Sequence, residues 1–143
     1  MGYTLQPGDR IIQPIFETGL SKHHSIYLGQ DHRGQPVIAE NDKHQGVIVT
    51  GASDFFSTVG RFKVQPFRGS AYQRQAAVRR ALYKVGAPYD LINFNCEHYA
   101  EYVQTGRPIS RQVERIKNLV TFLLFILVIS CLIFSITPSK KSK

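Results

Sequence analysis

The feature that most constrains this chain is an apolar run near its C-terminal end. Residues 119–137 (LVTFLLFILVISCLIFSIT) contain no charged side chain. As an α-helix at about 1.5 Å per residue, this run is roughly 29 Å long, close to the bilayer's hydrocarbon thickness of about 30 Å. A buried core helix is the alternative, but a helix that is apolar on every side at this length rarely sits in a small domain. We therefore predict a transmembrane helix over 119–137.

The basic residues of the chain are concentrated beside this run. The chain has 18 Lys and Arg against 10 Asp and Glu, and residues 105–143 carry seven basic and one acidic residue, or +6 of the net +8. The flanking basic residues are Arg107, Arg111, Arg115, Lys117, Lys140, Lys141 and Lys143. Such clusters suit anionic lipid headgroups and also serve as topology signals. We expect a phospholipid membrane as partner, and no nucleic acid, because no nucleic-acid-binding motif is present.

These observations divide the chain into four parts. We predict a soluble domain at 1–106, a basic juxtamembrane segment at 107–118, the membrane helix at 119–137 and a short basic tail at 138–143. About 105 residues are enough for one modest hydrophobic core.

The soluble domain begins with short strands and ends with helices. Val, Ile, Tyr and Phe are concentrated in short runs separated by Gly, Asp and Asn, which is typical of strands. The predicted strands are Arg10–Ile15, His24–Gly29, Pro36–Glu40, Gly46–Thr50 and Arg61–Phe67. The polar stretch 30–35 predicts a hairpin between the second and third strands. Strands followed by helices indicate an α+β fold, an antiparallel sheet with helices on one face.

Two helices are expected after these strands, and a short helical turn at Ala52–Ser57. Ser70 and Gln73 form a capping box, since each side chain can satisfy a free backbone N–H of the first turn. The apolar stripe of this helix comprises Ala77, Val78, Ala81, Leu82 and Val85, and its basic residues are expected on the other sides. Gly86 and Pro88 end it. A second helix follows Asn95 and ends near Gly106.

Cys96 stands at the beginning of the second helix. Asn95 is a favourable N-cap, so Cys96 becomes the first helical residue. The partial positive charge and free N–H groups of a helix N-terminus favour a thiolate and can stabilise an oxyanion. The alternative is an ordinary buried cysteine. Because Cys131 lies in the membrane run, Cys96 is expected to be a free thiol in a reducing compartment. No Cys/His spacing indicates a zinc site, so no metal is expected.

A thiol nucleophile also needs a base. His98 is two residues from Cys96, and helical residues with that spacing point away from each other, so we expect His98 to hydrogen-bond within the scaffold. His23 and His24 begin a strand in which alternation places them on opposite faces. Only one of the two can therefore face the cysteine, and periodicity does not decide which.

These segments resemble a known family. HHSIYLG (23–29) resembles the H-W-A-x-Y-V-G strand of the lecithin retinol acyltransferase family, which includes the HRAS-like suppressor phospholipase/acyltransferases. NFNCEHY (93–99) resembles its N-C-E-H-F block, and LQPGDRI (5–11) is similar to its opening strand. The order of histidine before cysteine matches the family's permuted version of the NlpC-type papain-like fold.

The resemblance implies roles for particular residues. Cys96 matches the nucleophile and His23 the first histidine of the family. The family often has a second histidine at the end of the next strand, where this chain has Glu40 and Asn41 instead. Either of these could orient His23, and His44 is a third candidate.

The resemblance also implies a reaction. Family members form an acyl-thioester on the cysteine and pass the acyl group to water or another acceptor, so this chain is expected to act on a phospholipid ester without a cofactor. The free thiol favours a cytosolic catalytic domain. A cysteine peptidase or amidase of the parent fold and a non-catalytic, membrane-tethered interaction module are the alternatives.

Overall fold

The computed structural model of the chain describes residues 4–15 and 21–136, with side chains described as far as Phe134. It divides into two compact units, Met1–Ser110 and Arg111–Lys143. Thr137, the last residue of the predicted membrane helix, and the predicted tail at 138–143 lie outside the described residues.

The first unit contains an antiparallel sheet of five strands in its described part. In sheet order these run β4-β3-β2-β1-β5, and every pairing is antiparallel. The strands are β1 (Arg10–Pro14), β2 (Lys22–Gln30), β3 (Pro36–Asp42), β4 (Gly46–Gly51) and β5 (Lys63–Gln65). All five predicted strands exist. The first of two main differences is that β2 begins earlier and includes His23. The second is that β5 is short, because Pro66 has no N–H to continue the ladder.

The predicted hairpin connects β2 and β3. The side chain of Asp31 accepts hydrogen bonds from the backbone N–H groups of Arg33 and Gln35, at 2.8 and 2.9 Å, and so fixes the turn. The resulting register places Ser25 opposite Glu40. Residues directly opposite each other in a sheet share a face, so this register decides which side chains of β3 accompany those of β2.

The sheet is covered on both faces. On one face, Ile26 and Ala39 pack with the helices α2 (Ala71–Tyr83) and α3 (Cys96–Thr105). On the other, Ile11 and Ile38 pack with the short helix α1 (Ala52–Thr58). The α+β class is confirmed, and the two longer helices share one face as expected. The placement of α1 on the opposite face differs from the predicted one-sided arrangement.

Helix α2 begins as predicted and packs less broadly than predicted. The Ser70 hydroxyl accepts from Gln73 N at 3.3 Å, and the Gln73 side chain accepts from Ser70 N at 2.7 Å, so the capping box is confirmed. The predicted apolar stripe is wrong at its end, because Leu82 and Val85 are half exposed whereas Ala77 and Ala81 are fully buried. Only these small side chains let α3 approach α2 closely.

Two of the basic residues of α2, which were expected to point away from its apolar stripe, bind groups within the domain. Arg74 pairs with the fully buried Asp9 at 3.0 Å, and Arg80 donates to the Val103 carbonyl of α3 at 2.8 Å. A buried carboxylate such as that of Asp9 needs a charged or hydrogen-bonding partner, which explains why Arg74 turns inward.

The second unit is described by itself as one helix, α4 (Arg111–Ile136). An 18-residue window of its segment Arg111–Phe134 has a mean hydropathy of 2.5, so by length and composition this helix could cross a membrane.

Candidate active site

Cys96 occupies the first position of α3, as the sequence predicts. The Asn95 side chain accepts hydrogen bonds from the backbone N–H groups of Glu97 and His98, both at 3.0 Å, so Asn95 is the N-cap of this helix. This cap does not use the N–H of Cys96. The cysteine is 6% exposed, but it lines a cavity of about 390 Å³ at the end of the sheet.

The two residues that follow Cys96 belong to the scaffold. The Asn95 N–H donates to Nδ1 of the His98 ring at 3.3 Å, which confirms the expected structural role for this histidine. The Glu97 carboxylate accepts from the Ser110 hydroxyl at 2.7 Å. Its charge is therefore paired with a donor beside the helix terminus.

His23 lies between Cys96 and Glu40. Its Nε2 is 2.5 Å from Oε2 of Glu40, and both side chains are largely buried. Burial by itself would lower the pKa of His23, but hydrogen bonds and charge interactions with Cys96 and Glu40 outweigh it and raise the pKa to about 10. The ring is therefore protonated at pH 7, and its interactions with Cys96 and Glu40 both favour this protonated form.

His24 faces the other side of the sheet. It is 4% exposed, and neither ring nitrogen has a hydrogen-bond partner among the described residues. Burial, together with the nearby positive charge of Arg10, lowers the pKa of His24 to about 4, so the ring is neutral at pH 7. Of the two adjacent histidines, the structure thus brings His23 to the cysteine, a choice that sequence alternation leaves open.

The three candidates for orienting His23 have different positions. Glu40 shares the face of Ser25 and His23, and its carboxylate contacts the ring. Asn41 points to the opposite face, where its Nδ2 donates to the Phe94 carbonyl at 2.6 Å. His44 is exposed in the turn after β3 and does not line the cavity.

The sequence reading missed Gln13. It is directly opposite His23 in the β1–β2 pairing and lines the same cavity as Cys96. Its side-chain nitrogen, Nε2, is buried without a hydrogen-bond partner among the described residues. A buried donor without a partner costs about 1–3 kcal/mol, so a ligand oxygen that accepts from it would gain affinity. Alternation along β1 is visible in the sequence, but the register that pairs Gln13 with His23 is not.

Tyr89 is a second residue that the sequence reading missed. It lines the cavity, and its pKa is raised first by burial and then by the charges of Cys96 and Asp42. The remainder of the wall combines apolar side chains such as Phe55 and Val59 with the polar Asp42 and Lys43. The cavity therefore offers both apolar and polar side chains to a ligand.

The arrangement contains the groups that acyl transfer through a thiol requires. A sulfur nucleophile, an imidazole and a carboxylate follow one another in contact, and this order matches the requirement that a base contacts the nucleophile and a third group orients the base.

Comparisons with known proteins agree with this chemistry. Residues 7–102 match a family described as permuted papain-like amidase enzymes of the YaeF/YiiX, C92 family. The lecithin retinol acyltransferase of Rattus norvegicus is 28% identical over 130 residues, an alignment covering 71% of this chain and 56% of that relative. The chain thus spans little more than half the length of the relative it matches. Both matches support an acyltransferase or hydrolase of this fold.

Proposed function

From the premise that the chain belongs to the permuted papain-like amidase family, we propose that it is a membrane-anchored thiol acyltransferase or phospholipase. The observation that carries this proposal is the His23 ring in contact with both Cys96 and Glu40. A protonated imidazole beside the sulfur favours the thiolate, which is the nucleophilic form of cysteine.

The proposed reaction has two halves. The Cys96 thiolate attacks the carbonyl carbon of a phospholipid ester, and as the tetrahedral intermediate collapses, its C–O bond breaks. The proton of His23 passes to the departing alcohol oxygen, which leaves a lysophospholipid and an acyl-thioester on Cys96. His23 then takes a proton from water or another acceptor as that oxygen attacks the thioester. The acyl group leaves with the acceptor, and the Cys96 thiolate is restored.

Two donors are available for the negative oxygen of each intermediate. One is the N–H of Cys96, which the Asn95 cap leaves unused. The other is Nε2 of Gln13, which is buried in the cavity wall and has no hydrogen-bond partner in the part of the chain that the structure describes. Donors that are already in position stabilise developing charge without reorganisation during the reaction.

Glu40 and Asn41 support the site in different ways in this proposal. Glu40 holds the His23 ring in its orientation through their contact. Asn41 acts as a positioning residue, because it binds the carbonyl of Phe94, two residues before the nucleophile.

Several features favour a lipid as substrate. The rat relative is by its name an acyltransferase of lecithin and retinol. The apolar side chains of Phe55 and Val59 in the cavity lining suit an acyl chain. In our proposal α4 crosses the membrane and keeps the domain where the local concentration of lipid is high. The free Cys96 thiol favours a cytosolic domain, which protease protection in sealed vesicles can test.

An amidase is the second candidate. The matching family is described as amidases. The polar lining residues Asp42 and Lys43 suit a peptide better than an acyl chain. The proposed chemistry is the same except that the C–N bond of an amide breaks.

Trapping the acyl-enzyme tests the proposal. Full-length protein is incubated with labelled phosphatidylcholine and, in parallel, with peptidoglycan peptides, and its intact mass is measured. We expect a lipid-derived adduct that Cys96→Ser abolishes. Cys131→Ser is the matched control, since it removes the other cysteine of the chain and should leave the adduct unchanged.

The same measurement tests Gln13. Gln13→Leu should slow adduct formation by roughly 10²-fold, the usual effect of removing one oxyanion donor, and an unchanged rate would remove Gln13 from the mechanism. Cleavage of peptides with no lipid adduct would favour the amidase. Inactivity on both substrates would favour a non-catalytic, membrane-tethered module.

A further inference from the structure

The loop that leads into the nucleophile exposes two large aliphatic side chains. Leu91 and Ile92 are 67% and 54% exposed, and they are adjacent in the chain. They follow Tyr89, which lines the catalytic cavity, and precede Cys96 by only a few residues. Two adjacent aliphatic side chains exposed between two residues of the cavity wall are a candidate contact surface, because water is their least favourable surrounding.

The loop is built so that this pair cannot fold inward. Oδ1 of Asp90 accepts from the N–H groups of Ile92 and Asn93, both at 2.9 Å, and Oδ2 accepts from the Asn93 side chain at 2.9 Å. Asp90 and Phe94 also exchange two backbone hydrogen bonds, at 3.1 and 2.9 Å. The turn is therefore closed and holds both side chains outward.

The turn is bonded to the nucleophile's helix. The side chain of Asn95 donates to the Leu91 carbonyl at 3.0 Å while it caps α3, whose first residue is Cys96. The position of the apolar pair is thus fixed with respect to the sulfur.

The chain also leaves the domain at this end of α3. Ser110 is fully buried, and its hydroxyl donates to Glu97 at 2.7 Å and lies 3.5 Å from the Asn95 side chain. Residues 106–110 therefore return from the end of α3 to its beginning. The first unit therefore ends, at Ser110, beside the first turn of α3.

We propose that the Leu91–Ile92 turn is a membrane-contact site, which inserts into the interfacial region of the bilayer that α4 crosses. This inference depends on the anchoring role proposed for α4. It identifies the end of the domain that meets the lipid, which is the end where Tyr89 and Cys96, on either side of the turn in sequence, line the cavity. The exposed Lys43 at the cavity wall suits the phosphate of a headgroup.

The absence of tryptophan from the sequence allows a direct test. Leu91→Trp and Ile92→Trp each create a protein with a single tryptophan. Tyr72→Trp is the matched control, since Tyr72 is 73% exposed on the first turn of α2. That end of α2 is far from Cys96, because Arg74 binds the Pro7 carbonyl and Gln104, near the end of α3, binds the neighbouring Gly8 carbonyl.

Full-length variants are reconstituted into phosphatidylcholine vesicles with and without spin-labelled acyl chains. We expect blue-shifted emission and quenching by the labelled lipid at positions 91 and 92, but quenching only by aqueous iodide at position 72. Equal exposure to iodide at all three positions would overturn the proposal. So would emission at 91 and 92 that is shielded from both quenchers, because a protein partner would then cover the turn.

The experiment distinguishes failure of the membrane-contact proposal from failure of the anchor and from failure of the proposed acyl transfer. If α4 did not insert, the protein would not float with the vesicles, whereas failure of the turn proposal alone leaves the protein vesicle-bound with position 91 in water. The test is repeated on a Cys96→Ser background, so its outcome does not depend on acyl transfer.

Discussion

Two adjacent histidines show how strongly position within a sheet controls a residue's chemistry. His23 and His24 have the same intrinsic pKa of 6.5, but the fold raises one to about 10 and lowers the other to about 4. His23 contacts a carboxylate and a thiol, whereas His24 is buried beside Arg10 without a hydrogen-bond partner among the described residues. Alternation along a single strand is sufficient to separate these environments.

We expect nuclear magnetic resonance of labelled imidazoles to show this difference. His23 should remain protonated through pH 8 and His24 neutral down to about pH 4. Because the folded-state pKa of His23 is raised, its contribution to stability is fully present below pH 6.5 and is lost as the pH rises through about 10.

Variants at the two partners check the cause of the His23 shift. Glu40→Gln and Cys96→Ser should each lower the midpoint of the His23 titration, since each removes one stabilising interaction. A wild-type midpoint at or below 6.5 would contradict the proposed thiolate–imidazolium pair.

At the scale of elements, α3 joins Cys96, the proposed nucleophile, to the rest of the domain. Asn95 caps its first turn, donates to the Leu91 carbonyl and contacts Ser110, so one side chain connects three segments. The cap was predictable from the residue type alone. The contacts of Asn95 with Leu91 and Ser110 depend instead on how the chain folds before and after α3.

Asn95→Ala should therefore affect both stability and activity. Loss of the cap should cost roughly 1–2 kcal/mol of unfolding free energy, measured by urea denaturation in detergent micelles. The rate of acyl-enzyme formation should fall about tenfold or more, because small displacements of a nucleophile slow reactions strongly.

Ser70→Ala provides the comparison, because it removes the cap of α2 instead. It should cost roughly 1 kcal/mol of stability and leave the rate of acyl-enzyme formation unchanged. An equal loss of rate in the two variants would mean that α3 is only a structural element.

At the scale of the whole molecule, one apolar helix follows a domain that is stable through two separate cores. The clusters on the two faces of the sheet bury Ile26 and Tyr99 on one side, and Ile11 and Phe55 on the other. None of the apolar window of α4 is buried in this way. In our proposal lipid surrounds this helix, an environment that suits its apolar composition.

We expect full-length protein in cells to remain with the membrane fraction at high salt and in alkaline carbonate, as an integral protein does. Salt would release a protein that was held only by its basic residues, because it screens their attraction to lipid. A charge at the helix centre costs about 2.5–3.5 kcal/mol on insertion, so Leu124→Arg should weaken retention. Release of the wild-type protein by salt alone would contradict a spanning helix.

The sequence by itself determined the elements, the cap at Asn95, the candidate cysteine and the apolar helix. The elements and the cap depend on local patterns of a few residues, and the apolar helix depends on a continuous run of uncharged residues over 119–137. The order of histidine and cysteine already indicated the family. Only the tertiary structure decided that His23 rather than His24 meets Cys96, that Glu40 rather than Asn41 contacts the ring, and that Gln13 lines the same cavity. Each of these depends on the register between strands and on where a helix begins relative to the sheet. A one-residue slip would reverse them, and no local pattern specifies that register.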